Sequence, residues 1–279
     1  MKICRSIQES RQATRQARAQ EHTLGLVPTM GALHAGHLSL VRAAKAESDL
    51  VAVSIFVNPT QFGPKEDYSK YPRTFEQDCE LLEGEGVDLL FSPSVEEMYP
   101  SDAVTYVTVE SLSEKLDGGS RPGHFRGVAT VVSKLFHIIE PNVAFFGQKD
   151  AAQVAIIRRM VRDLNLPVEI VVCPIVREPD GLAMSSRNAY LNVQERKAAL
   201  VLHRSLRRIE ELAKSGERDS ARLIAAGKNI LAAEPLVRLD YLDIVDPENL
   251  DPVTTVSPGT LVAVAAWVGA TRLIDNLLL

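Results

Sequence analysis

Two histidines, His34 and His37, are the first side chains in this sequence whose type and spacing favour chemistry. They lie in the segment PTMGALHAGH, residues 28–37, where a short apolar run gives way to a helical pattern. Imidazoles three positions apart project from the same turn of a helix, and Gly36 leaves room for a flat base or ribose. Because helix N-termini favour phosphate, the segment indicates a nucleotide site. Taken alone, it also fits a glycine-containing turn with two surface histidines.

A second candidate is Lys149, in the segment FFGQKD at residues 145–150. A lysine here can reach a polyphosphate as a mobile point charge. Gly147 is expected to permit a tight turn, and Asp150 to cap the helix that follows. A lysine after a strand is more often simply solvated, but its place at a second strand end of the same sheet favours phosphate binding.

The third candidate is the segment GLAMSSRN, residues 181–188. The hydroxyls of Ser185 and Ser186 and the guanidinium of Arg187 form a compact set of donors for phosphate oxygens. An isolated segment of this kind fits a serine-rich surface loop with a helix cap equally well. Beside the other two motifs, it is predicted to be a mobile loop that closes over a triphosphate.

The elements that must position these residues alternate between strand and helix. Strands are predicted at 24–28, 50–57, 87–91, 104–109, 143–146 and 168–172, and helices at 38–46, 74–85, 125–139 and 150–164. The apolar run at 50–57 suits a central parallel strand that is covered on both faces. This alternation predicts an α/β fold with a Rossmann-like, doubly wound parallel sheet, and ligands bind at the carboxyl ends of such strands.

The pattern changes after residue 176. Helices are predicted at 193–215 and 220–233, and strands at 239–245, 261–267 and 272–278. We therefore expect a Rossmann-like domain at residues 1–176 and a smaller α+β domain at 177–279 that closes over the active site.

The composition limits the class of protein. The 279 residues include 31 Lys+Arg and 36 Asp+Glu, a formal net charge of −5, which gives no electrostatic reason to expect nucleic acid or an anionic membrane as partner. The first 20 residues lack the apolar stretch of a secretory signal, and the longest apolar run, 261–270, is too short to span a bilayer.

The three cysteines, Cys4, Cys79 and Cys173, are far apart and fit a reducing compartment. We expect a cytoplasmic protein with no metal held by protein ligands.

Six strings in order along the chain resemble one family. They are VPTMGALH (27–34), FVNPTQF (56–62), YPRT (71–74), RPGHF (121–125), FGQKD (146–150) and DGLAMSSRN (180–188). Together they resemble the pantoate–β-alanine ligase family, within the HxGH nucleotidyltransferase superfamily that shares ancestry with class I aminoacyl-tRNA synthetases. The resemblance implies condensation of pantoate with β-alanine to pantothenate, a step toward coenzyme A, through a pantoyl-adenylate formed from ATP with Mg²⁺, which releases AMP and pyrophosphate. It also implies a homodimer formed through the N-terminal domain.

The resemblance also assigns roles to residues. It places His34, His37, Lys149 and Arg187 in catalysis, with His37 also the candidate proton donor, and Gln61 and Gln153 at pantoate. The implied ATP-binding residues are Met30, Gly31, Ala32, Leu33, His34, Ala35, Gly36, His37, Gly147, Gln148, Lys149, Asp150, Val176, Met184, Ser185, Ser186 and Arg187.

Some points depart from the family pattern or stay open. The family often has a glutamine pair in the helix after Lys149, whereas Ala152 precedes Gln153 here; we expect no loss of substrate binding. Arg121 and His124 either contribute to the rim of the active site or only pack their loop.

Two other functions compete with this interpretation. A nucleotidylyltransferase that stops at adenylation should have more basic groups at its acceptor site, whereas Gln61 and Gln153 are neutral. A nucleotide-binding regulator without catalysis should lack a histidine, lysine or arginine of the three motifs, and each is present.

Overall fold

A parallel β-sheet organises the N-terminal part of the molecule in this computed structural model, which describes residues 1–64 and 66–279. Within that part of the chain the sheet has six strands: Lys2–Cys4 (β1), Leu24–Thr29 (β2), Leu50–Ile55 (β3), Leu89–Phe91 (β4), Val143–Gly147 (β5) and Glu169–Cys173 (β6). Their spatial order is β1-β4-β3-β2-β5-β6. Strands β3 and β4 follow one another on one side of β2, whereas β5 and β6 lie on its other side. The point where the order reverses therefore lies between β2 and β5, which pair directly, and ligands bind at such a point in open α/β sheets.

Helices cover both faces of this sheet. They are Ile7–Ala19 (α1), Ala35–Glu47 (α2), Phe75–Gly84 (α3), Val95–Met98 (α4), Asp117–Ser120 (α5), His124–Ile139 (α6) and Ala151–Asp163 (α7). Consecutive residues of β3 alternate between the two faces. Ala52 packs in the cluster that contains α6 and α7, whereas Val51 and Val53 pack in the cluster that contains α2. Burial on both faces explains why this strand is apolar at every position except Ser54.

The C-terminal part forms a second, antiparallel sheet in the order β7-β8-β9, from Val237–Val245 (β7), Leu261–Val268 (β8) and Thr271–Leu278 (β9). Three helices precede it: Val193–Ala198 (α8), Leu200–Lys214 (α9) and Ser220–Ala232 (α10). Most of this part has its own apolar core. Val245, Leu261 and Ala263, however, pack in the same cluster as α6 and α7. The division at residue 176 therefore stays a prediction, while the α/β class and the smaller α+β unit are confirmed.

Most predicted elements are present within a few residues of their expected bounds. The strand predicted at 104–109 is wrong: Val104 and Tyr106 are exposed, and the N–H of Val107 donates to the hydroxyl of Thr130 rather than to a neighbouring strand. The single helix predicted at 193–215 is divided into α8 and α9.

The N-terminal elements β1 and α1 were missed. Ser6 and Glu9 form a capping box at the start of α1, and the serine and glutamate three residues apart are a recognisable helix-start pattern. In the described part of the chain, no helix combines the length and the apolar character needed to cross a membrane.

Candidate active site

The segment after β2 is held by a buried carboxylate. Gly31 and Ala32 both adopt the left-handed region, with φ of 80° and 51°, which is unfavourable for an alanine. The backbone N–H groups of Ala32 and Leu33 donate to Asp78 of α3, at 2.9 and 2.8 Å. Asp78 is 1% exposed. This residue was missed in the sequence, because nothing in α3 indicates that one of its acidic side chains points inward.

His34 and His37 lie together at the start of α2, as predicted, with ring centroids 4.1 Å apart. The N–H of Gly36 donates to Nδ1 of His34 at 3.1 Å, and the N–H of His34 donates to Nδ1 of His37 at 3.3 Å. A nitrogen that accepts a hydrogen bond has no proton, so each neutral ring has its proton on Nε2. A Cβ at Gly36 would lie 2.9 Å from the His34 ring, which explains the glycine between the two histidines.

Both histidines are neutral near pH 7. Burial, followed by the charge of Lys149, lowers the pKa of His34 to about 4. For His37 the largest cause is again burial, and smaller contributions come from the nearby His34 and Lys149; together they lower the pKa of His37 to about 3. The pair therefore offers two neutral Nε2–H donors instead of imidazolium ions.

Lys149 follows β5, on the other side of the point where the strand order reverses. It lies in a 3₁₀ turn, Gln148–Asp150, and its Nζ lies 3.5 Å from Oδ1 of Asp150. Asp150 stands at the start of α7, but the described residues show no capping hydrogen bond from its side chain, so its expected capping role is wrong. Gly147 directly precedes this tight turn, as expected, but its own backbone is extended (φ −84°, ψ 134°), a conformation that does not require glycine. Apart from Gly147 itself and its two chain neighbours, no described residue has an atom within 4 Å of where its Cβ would stand, which leaves open space beside the turn.

The loop of the third motif contacts the first. The hydroxyl of Ser186 donates to the carbonyl of Ala32 at 3.1 Å, and the Cβ of Met184 lies 3.7 Å from the Cβ position built on Gly36. The N–H of Met184 donates to the carbonyl of Val176 at 3.0 Å. The structure thus brings residues of the loop next to the histidines, while Arg187 pairs with Asp67 through Nε at 2.9 Å.

Gln61 is nearly buried (9% exposed) and is fixed from several sides. Nδ2 of Asn58 donates to its Oε1 at 3.0 Å, and its Nε2 lies 3.1 Å from Sδ of Met30. Its backbone carbonyl lies 2.8 Å from Nδ1 of His124. His124 therefore supports Gln61 through the backbone. The sequence did not single out Asn58, although it stands in the same NPTQF string.

Arg121 joins this group from the preceding loop. Its Nη1 lies 3.0 Å from Nε2 of His124, and its Nη2 lies 2.6 Å from Oε2 of Glu66. Gln153 lies on the first turn of α7, as predicted, and is partly buried. Among residues 1–64 and 66–279, no three His, Cys, Asp or Glu side chains cluster so that they could hold a metal ion.

Comparison with known proteins identifies the family of this chain. The family model described as pantoate-beta-alanine ligase matches residues 2–278. The chain belongs to the pantoate–β-alanine ligase family. The predictions of this family, of a ligase and of its α/β fold are confirmed.

Relatives of this family match over almost their whole length. Pantothenate synthetase of Acidobacterium capsulatum is 63% identical over 100% of this chain and 97% of its own, and that of Thermotoga neapolitana is 58% identical over 100% of both chains. The solved pantothenate synthetase of Thermus thermophilus is 50% identical over 99% of both chains, with a TM-score of 0.95. The pantoate-beta-alanine ligase of Francisella tularensis, described as complexed with beta-gamma ATP and beta-alanine, is 35% identical over 100% of this chain and 97% of its own, with a TM-score of 0.82.

Proposed function

We propose that this chain joins pantoate to β-alanine in two steps, through a pantoyl-adenylate formed from ATP. The observation that supports this proposal most strongly is the pair of Nε2–H donors on His34 and His37, beside Lys149. All three stand where the order of the parallel strands reverses. A site of this kind offers hydrogen bonds and one positive charge to phosphate oxygens without a protein nucleophile.

In the first step, a carboxylate oxygen of pantoate attacks the α-phosphorus of ATP. A new P–O bond forms, and the bond to the β-phosphate oxygen breaks, so that pyrophosphate leaves. Negative charge develops on the non-bridging oxygens and on pyrophosphate. We assign His34 and His37 to the non-bridging oxygens, Lys149 to the phosphate chain, and Ser185, Ser186 and Arg187 to the leaving group. Since His37 is neutral, it donates a hydrogen bond, and the negative phosphates raise its pKa once they are bound.

The adenosine is expected to lie against Gly147, because the space beside that residue is open. Asp150, Val176 and Met184 complete this pocket in the proposal. Met184 lies next to Gly36, so the adenosine and the phosphates occupy neighbouring parts of one cleft. Mg²⁺ enters with the triphosphate as part of the substrate and keeps several waters, as it commonly does.

Pantoate is assigned to Gln61 and Gln153. A small dihydroxy acid needs neutral amides to pair its hydroxyls, and its gem-dimethyl group needs apolar walls such as Pro28 and Met30. The contact between Gln61 and Met30 places one amide and one apolar wall side by side. The fixed position of Gln61, held by Asn58, favours a preorganised site.

In the second step, the amine of β-alanine attacks the acyl carbon of the adenylate. The C–N bond forms, the C–O bond to AMP breaks, and the amine loses a proton to solvent. The bound ligands named for the Francisella relative support both ATP and β-alanine as substrates of this chain.

We extend the proposal to assembly and location. A homodimer through the N-terminal part is supported by the extended segment 103–109, where Val104 is 86% and Tyr106 50% exposed. Three free thiols, on Cys4, Cys79 and Cys173, suit a reducing cytoplasm. Residues 177–279 are proposed to act as a domain that closes over the site.

The decisive experiment is ATP–pyrophosphate exchange with Mg²⁺, with and without pantoate and always without β-alanine. Exchange that appears only with pantoate supports the adenylate step, and addition of β-alanine should then give AMP and pantothenate in equal amounts. Detectable ATP binding with no pantoate-dependent exchange would contradict the proposal.

A further inference from the structure

Asn276, on β9 of the C-terminal sheet, reaches the turn that contains Lys149. Its Nδ2 donates to the backbone carbonyls of Gln148 and Lys149, both at 2.9 Å. Its Oδ1 accepts from Nε2 of Gln148 at 3.0 Å. A carboxamide has two N–H groups and one oxygen, and all three functions are used here. Asn276 is 3% exposed, so water does not compete for these bonds.

The position of Asn276 is itself fixed. Oδ1 of the neighbouring Asp275 accepts its backbone N–H at 2.8 Å. Asp275 in turn forms a two-pronged ion pair with Arg177, at 2.7 and 2.9 Å. In the sheet, Asn276 stands opposite Ala263 of β8. The carboxamide is therefore presented from a rigid support, and it is the Lys149 turn that gains order from the contact.

We propose that Asn276 is a positioning residue for Lys149, an inference that rests on the proposed role of Lys149 in binding the phosphates of ATP. The two bonded carbonyls set the orientation of the peptide units on both sides of the Lys149 Cα. Lys149 has a long, flexible side chain, so a small rotation of these peptides displaces Nζ by more than it displaces the backbone. The C-terminal sheet thereby takes part in forming the phosphate site of the N-terminal sheet.

The same geometry explains why a neutral amide stands at this position. A carboxylate of the same shape cannot donate, and it would face two carbonyl oxygens. The side-chain amide of Gln148 is directed to Asn276, a role additional to the ATP binding that the family resemblance implies for this residue.

The test compares the affinities of Asn276→Ala and Asn276→Asp for ATP and for adenosine, measured by titration calorimetry. ATP affinity should fall by about tenfold, the scale expected when a charged phosphate contact is displaced. Adenosine affinity should change by less than about twofold, because adenosine has no phosphate for Lys149 to contact. An equal loss for both ligands would mean a general structural defect and would overturn the proposal.

Lys115→Ala is the matched control. Lys115 also connects the N-terminal part of the chain to the C-terminal part. Its Nζ lies 2.6 Å from Oδ1 of Asp251 and donates to the carbonyl of Asn249. Its loss should leave both affinities unchanged. If the Asn276 variants fold poorly by thermal denaturation, Asn276→Ser, which retains one donor, provides the same comparison.

The Lys149→Ala background separates the two proposals. If Asn276 acts through Lys149, adding Asn276→Ala to Lys149→Ala should reduce ATP affinity by less than about twofold. If Asn276→Ala lowers ATP affinity as much in the Lys149→Ala protein as in the parent protein, the positioning role is overturned. If Lys149→Ala lowers ATP affinity and Asn276→Ala does not, this inference alone is overturned. No loss in Lys149→Ala would overturn the proposed role of the lysine and the inference with it.

Discussion

The guanidinium of Arg187 forms a two-pronged ion pair with Asp67, through Nε at 2.9 Å and Nη2 at 3.0 Å. Burial alone would raise the pKa of the Asp67 carboxyl, but the hydrogen bond and charge of Arg187 outweigh it and the pKa lies below its usual value. A carboxylate thus occupies the donor face that we assign to pyrophosphate. Planar guanidinium groups bind carboxylate and phosphate with the same geometry, so the two anions compete for Arg187.

We therefore expect Asp67→Asn to strengthen ATP binding. Removal of the competing anion leaves the Arg187 guanidinium available to the triphosphate, and the Kd for ATP should fall by about three- to tenfold. Asp163→Asn is the control, because it makes the same change of charge on an exposed residue of α7. Weaker binding in Asp67→Asn would mean that Asp67 orients Arg187 for the phosphates instead of competing with them.

Loss of the paired imidazole donors should abolish most adenylation. His37→Ala removes one Nε2–H donor from the phosphate site, and removal of one such donor typically costs about 10²–10³ in rate. Lys149→Ala should also lower the rate severely, and both variants should keep the fold. Pyrophosphate exchange measures the rate, and circular dichroism checks the fold. The control is His137→Ala, which changes an exposed histidine of α6 and should leave exchange unchanged. Near-normal exchange in both His37→Ala and Lys149→Ala would refute the assigned roles.

The low pKa of His37 predicts a specific dependence of stability on pH. Its pKa is about 3 in the folded protein and near 6.5 when unfolded, so below pH 6.5 the unfolded state binds more protons. Stability is therefore lost as the pH falls from 7 toward 4, with about 2 kcal/mol due to this residue between pH 7 and 5. Urea unfolding at these two pH values should show a smaller loss in His37→Ala than in the parent. An identical loss in the two proteins would show that His37 is not held neutral by the fold.

The sequence predicted those parts of the site that are made of contiguous motifs at strand ends. His34, His37 and Lys149 could be placed at one edge because parallel strands end together. The residues that hold these motifs come from distant elements: Asp78 lies on α3 and Asn276 on β9. Their contacts depend on how helices and sheets pack, which local spacing does not determine.

The incorrect predictions have a similar physical origin. The alternating pattern at 104–109 has strand character, but only Val109 is buried, residues 104–106 are exposed, and the N–H of Val107 donates to a helix side chain. Asp150 has the right residue type and position for a cap, yet its side chain lies near Lys149 instead. In the described part of the chain, residues 104–109 have no strand partner, a tertiary fact that overrides local propensity. For Asp150 the competing group is the side chain of the preceding residue, Lys149.

Asp78→Asn should impair both stability and adenylation, because this carboxylate accepts two backbone N–H groups from the segment before the histidines. An asparagine can accept with only one side-chain oxygen, and its NH₂ group would face the other N–H donor. We expect a loss of about 2 kcal/mol in the free energy of unfolding and about a tenfold lower rate, since the donors shift from their places.

Thr74→Val is the matched control for this change. It removes only the hydroxyl that donates to the same carboxylate, at 3.1 Å, and Thr74 makes no capping bond at the start of α3 in the described structure. Urea unfolding and pyrophosphate exchange should therefore show a clearly smaller effect in Thr74→Val than in Asp78→Asn. If the two variants behave alike, the bonds from Ala32 and Leu33 to Asp78 do not fix the histidine segment, and its left-handed backbone must be stabilised by other contacts.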